Sequence, residues 1–397
     1  MAVQARARPT GRDRPALFSN GFRPFFLGGA AWAVAALALW LAVLSGAVSP
    51  FGAFDPLVWH QHEMLFGAIG AIITGFLLTA IPNWTGALPV RGRPLLALFL
   101  AWGAARLANL AGGAWVALAV ETAFLAALPV MALREIVKGK NWRNLPVCAL
   151  IGLFALAGLL SHLEAAADLP TGDPGRRLGL GVVLLLIGLV GGRVVPSFTR
   201  NWLVKRGVTE KRLPAPFGAF DKLALLALAL ALLAWVLLPG PIMGPLLVLA
   251  GFLHLVRLGR WAGHRTGGEP LVAVLHVGYA WLGAGLVLLG LAEAGLVLER
   301  AAAVHALTAG AAGTMTLAVM TRASLGHTGR TLHAGPATVA VYALVCSGAL
   351  LRVLVPALPG DAVHWLGLSA LLWGGAYALF CAVYGPMLVA KKAGPGG

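Results

Sequence analysis

The chain has 397 residues, 59% apolar and only 11% charged, where soluble domains carry about a quarter charged residues. A mean hydropathy of +0.85, spread over many segments, excludes a water-soluble enzyme and describes a polytopic membrane protein. The net charge of +16 would suggest a nucleic-acid partner in a soluble domain; in a membrane protein basic residues collect in cytoplasmic loops, so the charge reads as topology and no nucleic acid is expected.

Residues 1–24 form a basic segment holding Arg6, Arg8, Arg12, Arg14 and Arg23. The apolar run that follows is too long for a signal peptide, so the first helix is expected to be retained. Apolar runs then predict about twelve helices over 25–48, 60–81, 94–110, 115–137, 145–163, 178–195, 220–238, 242–261, 271–294, 301–320, 337–355 and 363–388. Several breaks carry helix-ending residues: Pro50, Pro82, Pro170, Pro214, Pro239 with Gly240, and Pro359 with Gly360. The fold class is an all-α membrane bundle over 25–390, followed by a short tail, 391–397. Alternate connections concentrate Lys and Arg, as in Arg134, Lys138, Lys140 and Arg143, while the opposite side holds only Arg176, Arg177 and Arg300. Both termini are therefore expected in the cytoplasm. Cys148, Cys346 and Cys381 lie in apolar runs outside any CxxC or CxxCH motif, which excludes a disulfide framework and c-type haem attachment.

Helices two and ten align without gaps: His62, Gly67, Ala68, Gly70, Thr85 and Gly86 match His305, Gly310, Ala311, Gly313, Thr328 and Gly329. Phe198-Thr199-Arg200 at the end of helix six resembles Met320-Thr321-Arg322 at the end of helix ten. Three four-helix repeats are one reading, and chance likeness among Gly/Ala-rich helices is the other.

An ionisable side chain inside a span is costly enough to mark a functional candidate. His62 and His305 fall at one depth on helices two and ten and can approach one metal from opposite sides, the ligand set of a six-coordinate haem b. His60 and His62 are two residues apart, about 200° round a helix, so they suit two neighbouring metals better than one. His254 and His276 lie at matching depth on consecutive helices and suit copper or a second haem, with His327 as a further ligand. The alternative is a backbone bond for His254, and Tyr279 or another polar neighbour for His276. His305 and His327 are about 33 Å apart along a helix, which places them in separate layers. Arg193, Arg200 and Arg322 could neutralise haem propionates or simply mark the inner side. Glu63, and Glu121 as a lone intramembrane carboxylate, are candidates for proton handling, and Glu121 equally for packing. No Walker A or Rossmann fingerprint is present.

The segments Phe18-Ser19-Asn20-Gly21-Phe22-Arg23-Pro24, Trp59-His60-Gln61-His62-Glu63-Met64-Leu65-Phe66-Gly67, Pro82-Asn83-Trp84-Thr85-Gly86, the run from Gly192 to Trp202 and the run from Met320 to Arg330 resemble the NnrS family. Leu275-His276-Val277-Gly278-Tyr279-Ala280-Trp281 is similar to its ninth-helix motif. The resemblance implies a bacterial inner-membrane protein with haem and copper, linked to denitrification and nitrosative stress. Twelve spans with His on helices two and ten also resemble the catalytic subunit of haem-copper oxidases and nitric oxide reductases. Those enzymes place metal-binding His on helices six and seven, where this chain has none, so that likeness is one of architecture. The resemblance leaves the biochemical activity open; the first reading is reduction of nitric oxide to nitrous oxide with electrons from quinol or another membrane donor. The alternatives are a protein that sequesters nitric oxide, or a carrier of haem, copper or a small metabolite.

Overall fold

A computed structural model describes residues 16–392 apart from 50, 51, 53, 87, 168–172, 239, 241, 297 and 298. Arg6, Arg8, Arg12 and Arg14, the breaks assigned to Pro50, Pro170 and Pro239, and residues 393–397 lie outside the described residues. Regular structure among the described residues is helical throughout. The membrane helices are α1 (Phe22–Leu44), α2 (Pro56–Thr85), α3 (Arg93–Ala111), α4 (Ala114–Lys138), α5 (Trp142–Ala166), α6 (Pro174–Lys205), α7 (Ala219–Leu237), α8 (Met243–Gly259), α9 (Pro270–Glu293), α10 (Arg300–His327), α11 (Pro336–Ala357) and α12 (Ala362–Val389).

Eleven of these are long and apolar enough to cross a membrane; α8, with 17 residues, is the short one. It nevertheless lies along α9 in antiparallel register. A Cβ on Gly244 would meet the Gly290 carbonyl oxygen at 2.6 Å, and one on Gly251 the Gly283 carbonyl oxygen at 2.6 Å. Only hydrogen at these positions lets the two backbones touch, the small-residue packing expected where no hydrophobic force drives helices together.

Pro82 does not break α2. It sits in the last turn, and the helix ends at Gly86, in the left-handed region at φ +73°. A proline so near the end frees few carbonyls, and membrane helices tolerate it.

The helices α2, α6 and α10 are, with α12, the four longest, and each of the three carries a π-helical segment: Glu63–Ile69, Ile187–Gly191 and Ala306–Ala312. The first and third stand in the register of the sequence alignment, which favours repetition over chance. A π turn loosens the backbone hydrogen-bond ladder. Donors from neighbouring helices supply bonds there: Trp102 Nε1 to Gly67 O at 3.0 Å, Arg257 Nη1 to Gly188 O at 2.9 Å and Trp373 Nε1 to Ala309 O at 3.1 Å. The three helices enclose two stacked cavities. One, of about 360 Å³, is walled by His60 and Met64 of α2, Leu180 of α6 and His305 of α10. The other, of about 470 Å³, is almost wholly apolar. Ile69, in the first π segment, lines both.

Candidate functional site

The start of α2 is fixed by Asp55, whose carboxylate accepts from Leu57 N at 2.9 Å, with Pro56 in the first turn. From there His60 and His62 point into different surroundings, as their angular separation requires.

His62 is fully buried. Its Nε2 lies 3.0 Å from Glu121 Oε2 of α4, and its Nδ1 lies 3.2 Å from Ser161 Oγ of α5. His162 brings its own Nε2 to within 3.1 Å of the same Glu121 oxygen. The rings of Phe54 and Phe66 pack on His62, with centroids 4.9 Å away in each case. One nitrogen from each histidine and one carboxylate oxygen thus lie within 4.8 Å of one another, the donor types and spacing of a metal site.

Glu121 is not a lone carboxylate. Arg106 of α3 donates from Nη1 to Glu63 Oε2 at 2.6 Å and from Nη2 to Glu121 Oε1 at 2.5 Å. Asn109, one turn along, donates to Glu63 Oε1 at 2.7 Å and Glu121 Oε2 at 2.6 Å. Trp32 Nε1 completes the shell of Glu63 at 2.6 Å. Trp32 and Arg106 can only donate and Asn109 donates here through its amide, so the shell around Glu63 favours its carboxylate form. Gly67 is glycine because a Cβ there would fall 2.4 Å from Arg106 Nη1. Arg106, Asn109 and His162 were not selected from the sequence, although a buried Arg and Asn three residues apart on one helix face is a readable signal.

His60 stacks on Trp40 at 4.9 Å, and its Nδ1 is buried with no hydrogen-bond partner among the described residues. His305 donates from Nδ1 to Ala301 O at 2.7 Å, which leaves its Nε2 with a free lone pair. His60, Met64, His305 and Arg352 line both the 360 Å³ cavity and an adjoining one of about 260 Å³. His305 therefore shares its cavities with His60, and His62 belongs to the separate buried cluster. The cavity also gathers Arg176, Arg177 and Arg300.

The structure does not bring His254 and His276 together. His254 donates from Nε2 to Ala224 O at 3.1 Å and meets Tyr279 Oη through Nδ1 at 2.9 Å, while His276 pairs with Thr199 Oγ1 at 2.8 Å. Both thus take the backbone and side-chain bonds that were the alternative reading, with Tyr279 going to His254. His327 is exposed at the end of α10, its ring 5.4 Å from that of Phe22. Arg193 is exposed, Arg200 pairs with Glu210 at 2.8 Å, and Arg322 lies over the Phe198 ring at 4.0 Å. None of the three lines the His60–His305 cavity.

The family model described as NnrS protein matches residues 16–392. The chain belongs to the NnrS family. A search of characterised proteins gave no match. The NnrS-like segments fall on the parts of the molecule just described: the run from Trp59 to Gly67 holds both histidines, Glu63 and the start of the first π segment, and the runs beginning at Gly192 and Met320 fall at the far ends of α6 and α10. Family membership and geometry together support a multi-pass membrane protein with a buried His/Glu/His cluster suited to metal.

Proposed function

We propose that the chain is a haem- and copper-containing oxidoreductase of the bacterial inner membrane, with both termini cytoplasmic, that reduces nitric oxide to nitrous oxide and contributes to nitrosative-stress resistance. The balanced reaction takes two nitric oxide molecules and one quinol, or two electrons and two protons from another membrane donor, to nitrous oxide, water and quinone. The observation that carries this reading is the presence of His60 and His305 at one arginine-rimmed cavity, with His60 three residues along the chain from Glu63 of a buried carboxylate network.

Haem fits the His60 side and not the His62 side. His62 has both ring nitrogens engaged by Glu121 and Ser161, whereas His60 has a buried, unpartnered nitrogen and His305 a free Nε2. The guanidinium groups of Arg177 and Arg352 suit the two propionates, while Arg176 and Arg300 pair with Asp173 and Glu293. Haem bound there supplies a redox-active iron with affinity for nitric oxide. The Ala301 carbonyl fixes the His305 tautomer and ring orientation. The buried side chains of Leu65 and Leu180 make part of the cavity wall apolar. Glu63 and Glu121 keep negative charge behind that wall, where protons drawn to the reaction are stabilised.

Anaerobic nitrous oxide yield, measured by gas chromatography on reduced, haem-quantified protein, tests the proposal. Yield over many turnovers is expected. Tight nitric oxide binding without nitrous oxide, across a range of donors, would replace reduction with sequestration.

A further inference from the structure

We infer that the apolar cavity enclosed by α2, α6 and α10 holds small uncharged gas molecules and passes them to the His60–His305 cavity past Ile69. Nitric oxide as the gas rests on the reading above; occupancy of the cavity by an apolar gas does not.

The cavity, of about 470 Å³, follows the three helices from their π segments to the Arg322–His327 end of α10. Each π segment supplies a wall residue: Ile69, Ile187 and Ala312. Ile69 also lines the 360 Å³ cavity that holds His60 and His305, and the third π segment lines it through Thr308. The two spaces therefore meet at the π segments, a backbone form that recurs at functional sites.

The walls select the occupant. Among the described lining residues the polar side chains are Thr316, Arg322 and His327. The Thr316 hydroxyl is already engaged by Ala312 O and Tyr377 Oη, each at 2.8 Å. Arg322 and His327 stand at the far end, and Arg322 lies over the Phe198 ring. The deep end thus lacks the two to four polar partners that hold a water, and apolar cavities of this kind stay dry and bind xenon. A quinol ring held by Arg322 would sit about 25 Å along α10 from His305, too far along to serve that cavity. Nitric oxide is uncharged, needs no hydrogen bond and is drawn from water into apolar space as xenon is. The proposed reaction consumes two such molecules per turnover, and a store beside the site keeps the second at hand. A lipid acyl chain would suit the same walls but would leave the contact with the His60–His305 cavity without a purpose.

The test uses full-length protein in detergent, with xenon as the probe and its NMR signal referenced to protein-free micelles. Val319, which lines this cavity from α10, lies about 21 Å along the helix from His305, so Val319→Trp fills the space without touching the histidine. Bound xenon is expected in the wild type and its loss in Val319→Trp, with or without haem; Val319→Phe repeats the measurement should the larger ring prevent folding. In haem-loaded protein, nitric oxide association after flash photolysis is expected to slow at least about tenfold in Val319→Trp and to quicken in Ile69→Ala, with haem content and absorption spectrum unchanged. Absence of bound xenon from the wild type, as a resident acyl chain would produce, xenon retained by the folded Val319 variants, or an unchanged association rate in them or in Ile69→Ala would overturn the inference. A wild-type protein without haem would instead refute the reading of His60 and His305, and the xenon result would still judge the cavity.

Discussion

Arg106 offers the sharpest test of how the buried cluster is held together. In the native protein its guanidinium serves two carboxylates at 2.6 and 2.5 Å, with the side chain 3% exposed. Arg106→Met removes both bonds and takes the charge of Glu63, Glu121 and residue 106 from −1 to −2. Stripping one partner from a buried ion pair costs about 3–5 kcal/mol, because the remaining charge is left uncompensated; with two carboxylates abandoned at once, the upper end of that range is expected. The loss should appear as a shift in the SDS-unfolding midpoint, followed by tryptophan fluorescence in mixed micelles. Adding Glu63→Gln returns the sum to −1. Asn109, whose Oδ1 has no donor among the described residues, can turn to accept from the new amide. The double variant should therefore recover about 2 kcal/mol of the loss. An Arg106→Met protein within about 1 kcal/mol of wild type, or a double variant no better than the single, would refute charge balance as the organising force.

Other consequences follow from the same geometry. His60→Ala and His305→Ala should each lose haem while His62→Ala keeps it, measured as pyridine haemochrome per chain; full haem in the first two would sink the assignment. Gly251→Val places a methyl-bearing carbon against the Gly283 carbonyl oxygen, which no rotamer relieves, so a destabilisation of about 3 kcal/mol and loss of monodisperse protein on size exclusion are expected. Trp102→Phe removes the donor to Gly67 O; about 1–3 kcal/mol and faster hydrogen exchange confined to 63–69 should result. A fluorescent protein fused to the C-terminus should fluoresce in cells, whereas an active alkaline phosphatase fusion would mean that α8 does not cross.

The helices were legible in the sequence because a membrane span needs only length and hydropathy, and α1 to α12 fall within a few residues of the predicted runs except where α2, α6 and α10 run longer. Pro82 misled because a proline breaks a helix in water more reliably than in a packed bundle. The divergence of His60 and His62 was also legible, since it follows from helical geometry alone. What each ring meets was not. His162, Arg106 and Asn109 reach His62 and Glu63 only through the packing of α2 to α5. His254 and His276 were expected to face each other on depth alone, but the glycine contacts between α8 and α9 set a register that levels His254 with Tyr279.

The sequence by itself determined that this is an all-helical membrane protein of the NnrS family, and that histidines near the start of its second and tenth helices are the residues to watch. Local composition and helical periodicity suffice for that. Only the tertiary structure decided that His305 shares its cavities with His60, that His62 joins a buried carboxylate and guanidinium cluster, and that arginines from α6, α10 and α11 rim the cavity. Those pairings depend on interhelical register and rotation, which close backbone contacts and buried charge balance fix across residues far apart in the chain.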